Sequence, residues 1–246
     1  MKNTDVQMEY EKAIDYIFGM IQNKALTVGS KLPTERAIAQ ELNIGRNSTR
    51  EALSILHGMG MVKSVQGSGN YICADANKTI FQILTVMLAL GSITQKDVCE
   101  FRRAMEKTVC MLLLEKGISE EADKEMKSLL DNMKNDLPAF GNSPECGGEC
   151  DLQESLENPA VRSDREFHAL LVTAAHNELL STIMGAVMTV YQEWIDLVLK
   201  KADPQTKDIL VSYHEDIYNG IKNKSESLVN EAIDKHYNLI EELLIV

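Results

Sequence analysis

Residues Leu32–Ile72 read LPTERAIAQELNIGRNSTREALSILHGMGMVKSVQGSGNYI, and this stretch decides the architecture. Its periodicity predicts a short amphipathic helix over 34–42, with Ala37, Ile38 and Leu42 turned inward. The turn Asn43–Gly45 leads to another helix, from about Arg46 to His57. Thr49, Ala52, Leu53 and Leu56 form the buried stripe of that helix. Arg46, Arg50, Ser54 and His57 share the opposite face. Gly58 and Gly60 end it. MVKSV and NYIC then make two short extended runs around Gln66–Gly67–Ser68–Gly69, a hairpin with a Gly-rich tip.

Upstream, Tyr10, Ile14, Ile17, Phe18 and Ile21 fall on one face of a helix over 10–22. Three helices and a hairpin make a winged helix-turn-helix, in which the second helix of the pair enters the major groove of DNA. Outward arginines reach phosphates or guanine edges. Gly67 lets the wing backbone approach the sugar-phosphate chain. The same pattern fits the solvated face of an ordinary small helical domain; the hairpin directly after the third helix favours DNA.

From Asp75 onward only helical periodicity is found. It predicts an antiparallel all-α bundle of about seven helices, over 78–90, 94–117, 119–135, 159–175, 178–200, 204–222 and 225–245. The segment 137–159 carries three prolines and three glycines and reads as a long exposed loop. The fold class is therefore mainly α, with a DNA-binding domain over 1–74 and an all-helical effector-binding and dimerisation domain over 75–246.

Apolar residues make up 44% of the 246, enough for two cores, and the 25% charged residues argue against disorder. The net charge of -12 is uneven: residues 1–73 carry 8 Lys/Arg and 7 Asp/Glu, and the rest carry 17 and 30. A near-neutral head with placed arginines can still bind phosphate. The longest apolar run, Ile80 to Leu90, is too short for a membrane span. The polar start MKNTDVQMEYEK does not read as a signal peptide, so a cytoplasmic location is expected. Of five cysteines, Cys73, Cys99 and Cys110 read as small hydrophobes, and an odd count argues against a disulfide framework. Cys146 and Cys150, in SPECGGEC, could bind zinc or pair, but the loop offers no further ligand and reads as an exposed loop.

Asp164 and His168 stand four apart, one helical turn, so both can grip one ion. His214 and His236 lie in two later helices. If these helices pack together, one carboxylate and three imidazoles suit zinc, nickel or another first-row divalent ion. The alternative is three structural histidines. His176 reads as turn chemistry at a helix junction and His57 as a solvated residue of the head.

The run 32–72 resembles the GntR family of winged-helix regulators: its LPSER-x-LA block, its Arg-rich recognition block and its G-x-G wing recur in order over residues 10–73. The resemblance implies DNA contacts at Arg36, Arg46, Asn47, Ser48, Arg50 and Gly67. Gly45 departs from the usual Ser or Thr, removing a helix-capping hydroxyl. Thr49 replaces an aliphatic residue.

The C-terminal part resembles the FCD domain of the FadR branch, through EFRRAMEKTVCMLL, DREFHALLVTAAHN, YHEDIYNGIKN and the late KHY. In metal-binding members an Asp-x3-His pair and two later histidines hold the ion, which implies Asp164, His168, His214 and His236 here. The family pattern also places Arg102 toward the effector; the alternative is a surface ion pair with Glu106.

The expected function is that of a non-enzymatic, homodimeric repressor on a pseudo-palindromic operator. A small carboxylate at the metal site would control its affinity for double-stranded DNA. A metal-free sensor of an acyl-CoA-like ligand, with the Met-rich IMGAVMTV as a cavity lining, is the competing expectation. A metal-dependent hydrolase fused to a DNA-binding head is a further one.

Overall fold

The computed structural model describes residues 7–135 and 159–245. The predicted loop over 137–159, with Cys146 and Cys150, lies outside the described residues except for Pro159. Ten helices and one two-stranded sheet are formed among the described residues. No helix there is long and apolar enough to cross a membrane.

Helix α1 (Glu9–Gln22) buries Ala13 and Ile17 and keeps Tyr10, Ile14, Phe18 and Ile21 half-buried against the same core. Helix α2 (Glu35–Leu42) starts where the Thr34 hydroxyl accepts the Ala37 N–H at 3.2 Å, satisfying one orphan donor of the first turn. It buries Ile38 and Ala39. Ala37, expected inward, is exposed; the buried stripe is rotated toward Ala39, because α2 presents that edge to the core. Asn43, at φ 52°, ends the helix in a left-handed turn.

Helix α3 (Arg46–Gly58) buries Thr49, Ala52, Leu53 and Leu56, the stripe read from the sequence. Strands β1 (Val62–Val65) and β2 (Gly69–Ile72) pair antiparallel, with Val62 opposite Ile72 and Val65 opposite Gly69. Val62 and Ile72 close a core with Ile17, Ile38, Ala52 and Leu56.

Gly60 turns the chain between α3 and β1 at φ +69°, and a Cβ there would lie 2.0 Å from the Asp75 carbonyl oxygen. Both the dihedral and the space demand glycine. Gly60→Ala is expected to destabilise this unit by about 2 kcal/mol or more, read as a lower denaturant midpoint.

Helix α4 (Ala76–Ala89) has no fully buried residue, although its core reads TIFQILTVMLA. Ile83, Val86 and Leu90 are all more than half exposed, and their spacing puts them on one face. The chain divides into two compact units, Met1–Ile83 and Leu84–Val246, with the change-over inside α4.

Six further helices complete the second unit: α5 (Gln95–Lys116), α6 (Glu120–Asn135), α7 (Pro159–Ala174), α8 (Glu178–Lys201), α9 (Pro204–Lys222) and α10 (Glu226–Ile245). Thr94 and Asp97 form a capping box at the start of α5, and Asp203 caps α9 with Pro204 at its first position. His176, at φ 50°, turns α7 into α8, as its place before Asn177 suggested. The α9–α10 and α6–α7 pairs and the packing of α5 on α8 and α10 build one core. Tyr191, Tyr237, Phe167, Met126, Met133 and Met184 lie fully inside it. Met184 and Val187 of the Met-rich stretch belong to this core.

Candidate metal centre and nucleic-acid interface

Helix α3 is held by its buried stripe, so its other face is free to carry Arg46, Asn47 and Arg50, all exposed. Arg36 on α2 and Gly67 at the wing are exposed as well. Arg50 does not swing loosely. Its NH2 donates to Glu35 Oε2 at 2.9 Å and its Nε to Glu35 Oε1 at 3.4 Å, a fork that aims the guanidinium from α2. His57 is exposed, yet its Nδ1 lies 3.0 Å from the Val62 carbonyl oxygen, tying α3 to β1.

The missing cap at Gly45 is supplied from elsewhere. Glu9, on α1, accepts the Gly45 N–H at 3.0 Å and the Ser48 hydroxyl at 2.8 Å. These bonds hold its carboxyl below the ordinary range, the backbone donor first and Ser48 next. Ser48, expected to contact DNA, is thus already bonded within the protein. Its partner lies 39 residues away, beyond the reach of any local pattern.

In the second unit, α7 carries Asp164 and His168 one turn apart, α9 carries His214 and α10 carries His236. The packing of α10 on α9 turns the two later histidines toward α7. One ligand atom from each of the four residues lies within 4.8 Å of every other. His214 Nε2 is 3.1 Å from His168 Nε2, 3.2 Å from His236 Nε2 and 3.2 Å from Asp164 Oδ1. His168 Nε2 and Asp164 Oδ1 are 4.0 Å apart. The three histidines are 1–2% exposed. Phe167 meets the His214 ring edge-on, with centroids 5.2 Å apart.

This geometry fits a cation. A neutral imidazole has one proton, so His214 Nε2 can satisfy at most one of three neighbours by hydrogen bonding. Metal–ligand bonds of about 2.1 Å give donor–donor edges of roughly 3.0 Å in an octahedron and about 3.4 Å in a tetrahedron. The three short distances match such edges. The electrostatics agree. Burial pushes His236 well below its usual value, reinforced by His214 and His168, so its imidazole stays neutral. Burial alone would raise the Asp164 carboxyl, but the hydrogen bond from His214 and the nearby histidines hold it well below the carboxylate range. A neutral His236 imidazole and an ionised Asp164 carboxylate are forms that bind metal.

Arg102 and Glu106 do form an ion pair, NH2 to Oε1 at 3.0 Å, but it is buried, with side chains 6% and 1% exposed. The surface pair weighed as the alternative is therefore not what the chain builds. The guanidinium lies over the rings of Tyr191 and Tyr237, 4.7 and 5.7 Å from their centroids. Its Nε is buried without a hydrogen-bond partner among the described residues. Glu106 also lies 3.0 Å from His168 Nδ1 through Oε2. Burial works to raise the Glu106 carboxyl; His168 and Arg102 outweigh it and hold it far below the ordinary range. Sequence reading missed this role of Glu106, because only its partnership with Arg102 has a local spacing.

A hydrolytic centre would need a general base beside the ligands. Glu166 is half exposed near Arg162, and Glu215 pairs with Lys134. Cys99 is buried, accepts the Tyr191 hydroxyl at 3.3 Å and has its thiol pushed up to about 11, chiefly by burial. Such a thiol is a packing group, not a nucleophile.

Two family models match the chain. "Bacterial regulatory proteins, gntR family" matches residues 9–72, and the FCD domain matches 97–239. The HTH-type transcriptional regulator LutR of Bacillus subtilis is 31% identical over 231 residues, which are 92% of this chain and 96% of LutR. A putative L-lactate dehydrogenase operon regulatory protein of Escherichia coli is 28% identical over 188 residues, 74% of this chain and 64% of its own. A solved structure, Streptococcus agalactiae GntR, superposes with a TM-score of 0.65 at 19% identity, over 95% of this chain and 99% of that one.

Proposed function

The chain belongs to the gntR family of bacterial regulatory proteins and carries an FCD domain, and from that premise we propose that its affinity for an operator is set by a small carboxylate bound at a metal site in the second unit. It is a DNA-binding regulator and not an enzyme. The observation that carries the proposal is the convergence of Asp164 with the buried His168, His214 and His236.

Three imidazoles and one carboxylate favour zinc or nickel over magnesium or calcium. A divalent ion held there by these four residues would supply a positive centre, and in octahedral coordination up to two positions would remain for an anionic effector. The unpartnered Nε of Arg102 is a second donor for the effector carboxylate. The name of the lactate-operon relative fits an effector of this class. On the head, Arg36, Arg46, Asn47 and Arg50 read or position the DNA, with the wing at Gly67 on the backbone; Ser48 joins them through its hydroxyl once Glu9 yields it.

A homodimer suits the exposed apolar row Ile83, Val86 and Leu90, which a second copy would cover. A two-fold dimer calls for a pseudo-palindromic operator. The protein acts as a repressor in the cytoplasm, where its DNA is.

The test is fluorescence anisotropy on an operator duplex selected from random DNA. Zinc-loaded protein should lose at least about tenfold in affinity on addition of lactate or citrate, roughly 1.4 kcal/mol of coupling. Chelated protein should not respond. An equal response with and without metal would overturn the proposal, and tighter binding would make the carboxylate a ligand that promotes, not releases, operator binding.

A further inference from the structure

His168 offers Nε2 to the ligand cluster and Nδ1 to Glu106. It is the only one of the three clustered histidines with a hydrogen-bonded Nδ1 among the described residues. The Nδ1 atoms of His214 and His236 are buried without one. Glu106 itself is fully buried on α5, and its two oxygens are divided between two partners: Oε2 faces His168 and Oε1 accepts from Arg102. The guanidinium is in turn caged by the Tyr191 and Tyr237 rings.

We propose that Glu106 is the positioning residue of this site: one oxygen fixes the His168 ring with its proton on Nδ1 and its lone pair on Nε2 aimed at the cluster, and the other holds Arg102 in register with that ring. An imidazole whose far nitrogen donates to a carboxylate is locked in both tautomer and rotation. Without that acceptor the ring is free to flip or to move its proton to Nε2, where it blocks a ligand position. A carboxylate shared in this way ties the effector donor on α5 to the ligand on α7, so neither moves without the other. This inference rests on the metal reading for its consequence, but the placement of the proton does not.

Two measurements test it. In the metal-free chain, nitrogen–proton correlation of the histidine rings should show His168 as the Nδ1–H tautomer. In Glu106→Gln, and in Arg102→Met/Glu106→Met, it should shift toward Nε2–H or a mixture. The double variant removes both charges together, because a single change leaves Arg102 buried without its counter-charge. Calorimetric titration with zinc chloride alone should show affinity about 10–100-fold weaker in both variants, with the metal-free unfolding midpoint of the double variant close to that of the unaltered chain. A residue that only stabilised the fold would lower the midpoint and leave zinc affinity alone. The proposal is overturned if His168 of the unaltered chain carries its proton on Nε2, or if the folded double variant binds zinc as the unaltered chain does. The tautomer of the unaltered chain decides even if neither variant folds. If the unaltered chain binds no zinc, the metal reading fails while the tautomer result stands.

Discussion

Replacing His214 with alanine is expected to remove metal-induced stabilisation altogether. His214 Nε2 is the hub of the cluster, within 3.2 Å of Asp164 and of both other histidines. Losing it removes one ligand and also the group that spaces the remaining three. In the unaltered chain, zinc at a hundred times its dissociation constant adds about 2.7 kcal/mol to stability. For a chain of this size that is a rise of several degrees in the unfolding midpoint. His214→Ala should show no rise at the same zinc concentration, with affinity weakened by at least about 100-fold. The metal-free variant also loses the edge-on contact with Phe167, so its baseline midpoint falls somewhat. The comparison that matters is therefore the midpoint with and without zinc within each protein. An undiminished rise in the variant would mean that the ion binds elsewhere.

Arg50→Ala is expected to weaken operator binding by about 5–150-fold, the 1–3 kcal/mol of one good guanidinium contact to a base, with little effect on folding. The side chain is 62% exposed and, among the described residues, is braced by Glu35, so its loss uncovers no core. Anisotropy titrations on the selected operator and on an unrelated duplex check the assignment. A base contact shows as loss confined to the operator. A phosphate contact shows as equal loss on both and a salt slope smaller by about one. Unchanged affinity for both duplexes would remove Arg50 from the interface.

The helices and hairpin were legible in the sequence because their signals are local. Thr49, Ala52, Leu53 and Leu56 recur with the helical period, and Gly60 and Gly67 mark turns that the chain makes. Ala37 was misplaced because a one-residue rotation of the short α2 shifts its inner edge without changing the period. In the site, only Asp164 and His168 declare themselves by spacing. His214 and His236 join them through the packing of α9 and α10 on the rest of the bundle, and the family resemblance, not periodicity, pointed there.

Two features were illegible for a common reason. Glu9 capping α3 and Glu106 backing His168 span 36 and 62 residues. Each is a carboxylate whose partner comes from another helix, and neither carries a spacing that a reader of the sequence could recognise. For Arg102 and Glu106 the four-residue interval was visible, but not the two tyrosines from α8 and α10 that bury the pair.

Diffraction at the zinc absorption edge, from crystals of the full chain grown with zinc chloride, tests the central claim most directly. The predicted result is one strong anomalous peak per chain, about 2.0–2.2 Å from Asp164 Oδ1 and from the Nε2 atoms of His168, His214 and His236. A well-ordered structure with those four side chains in place and no peak between them would contradict it.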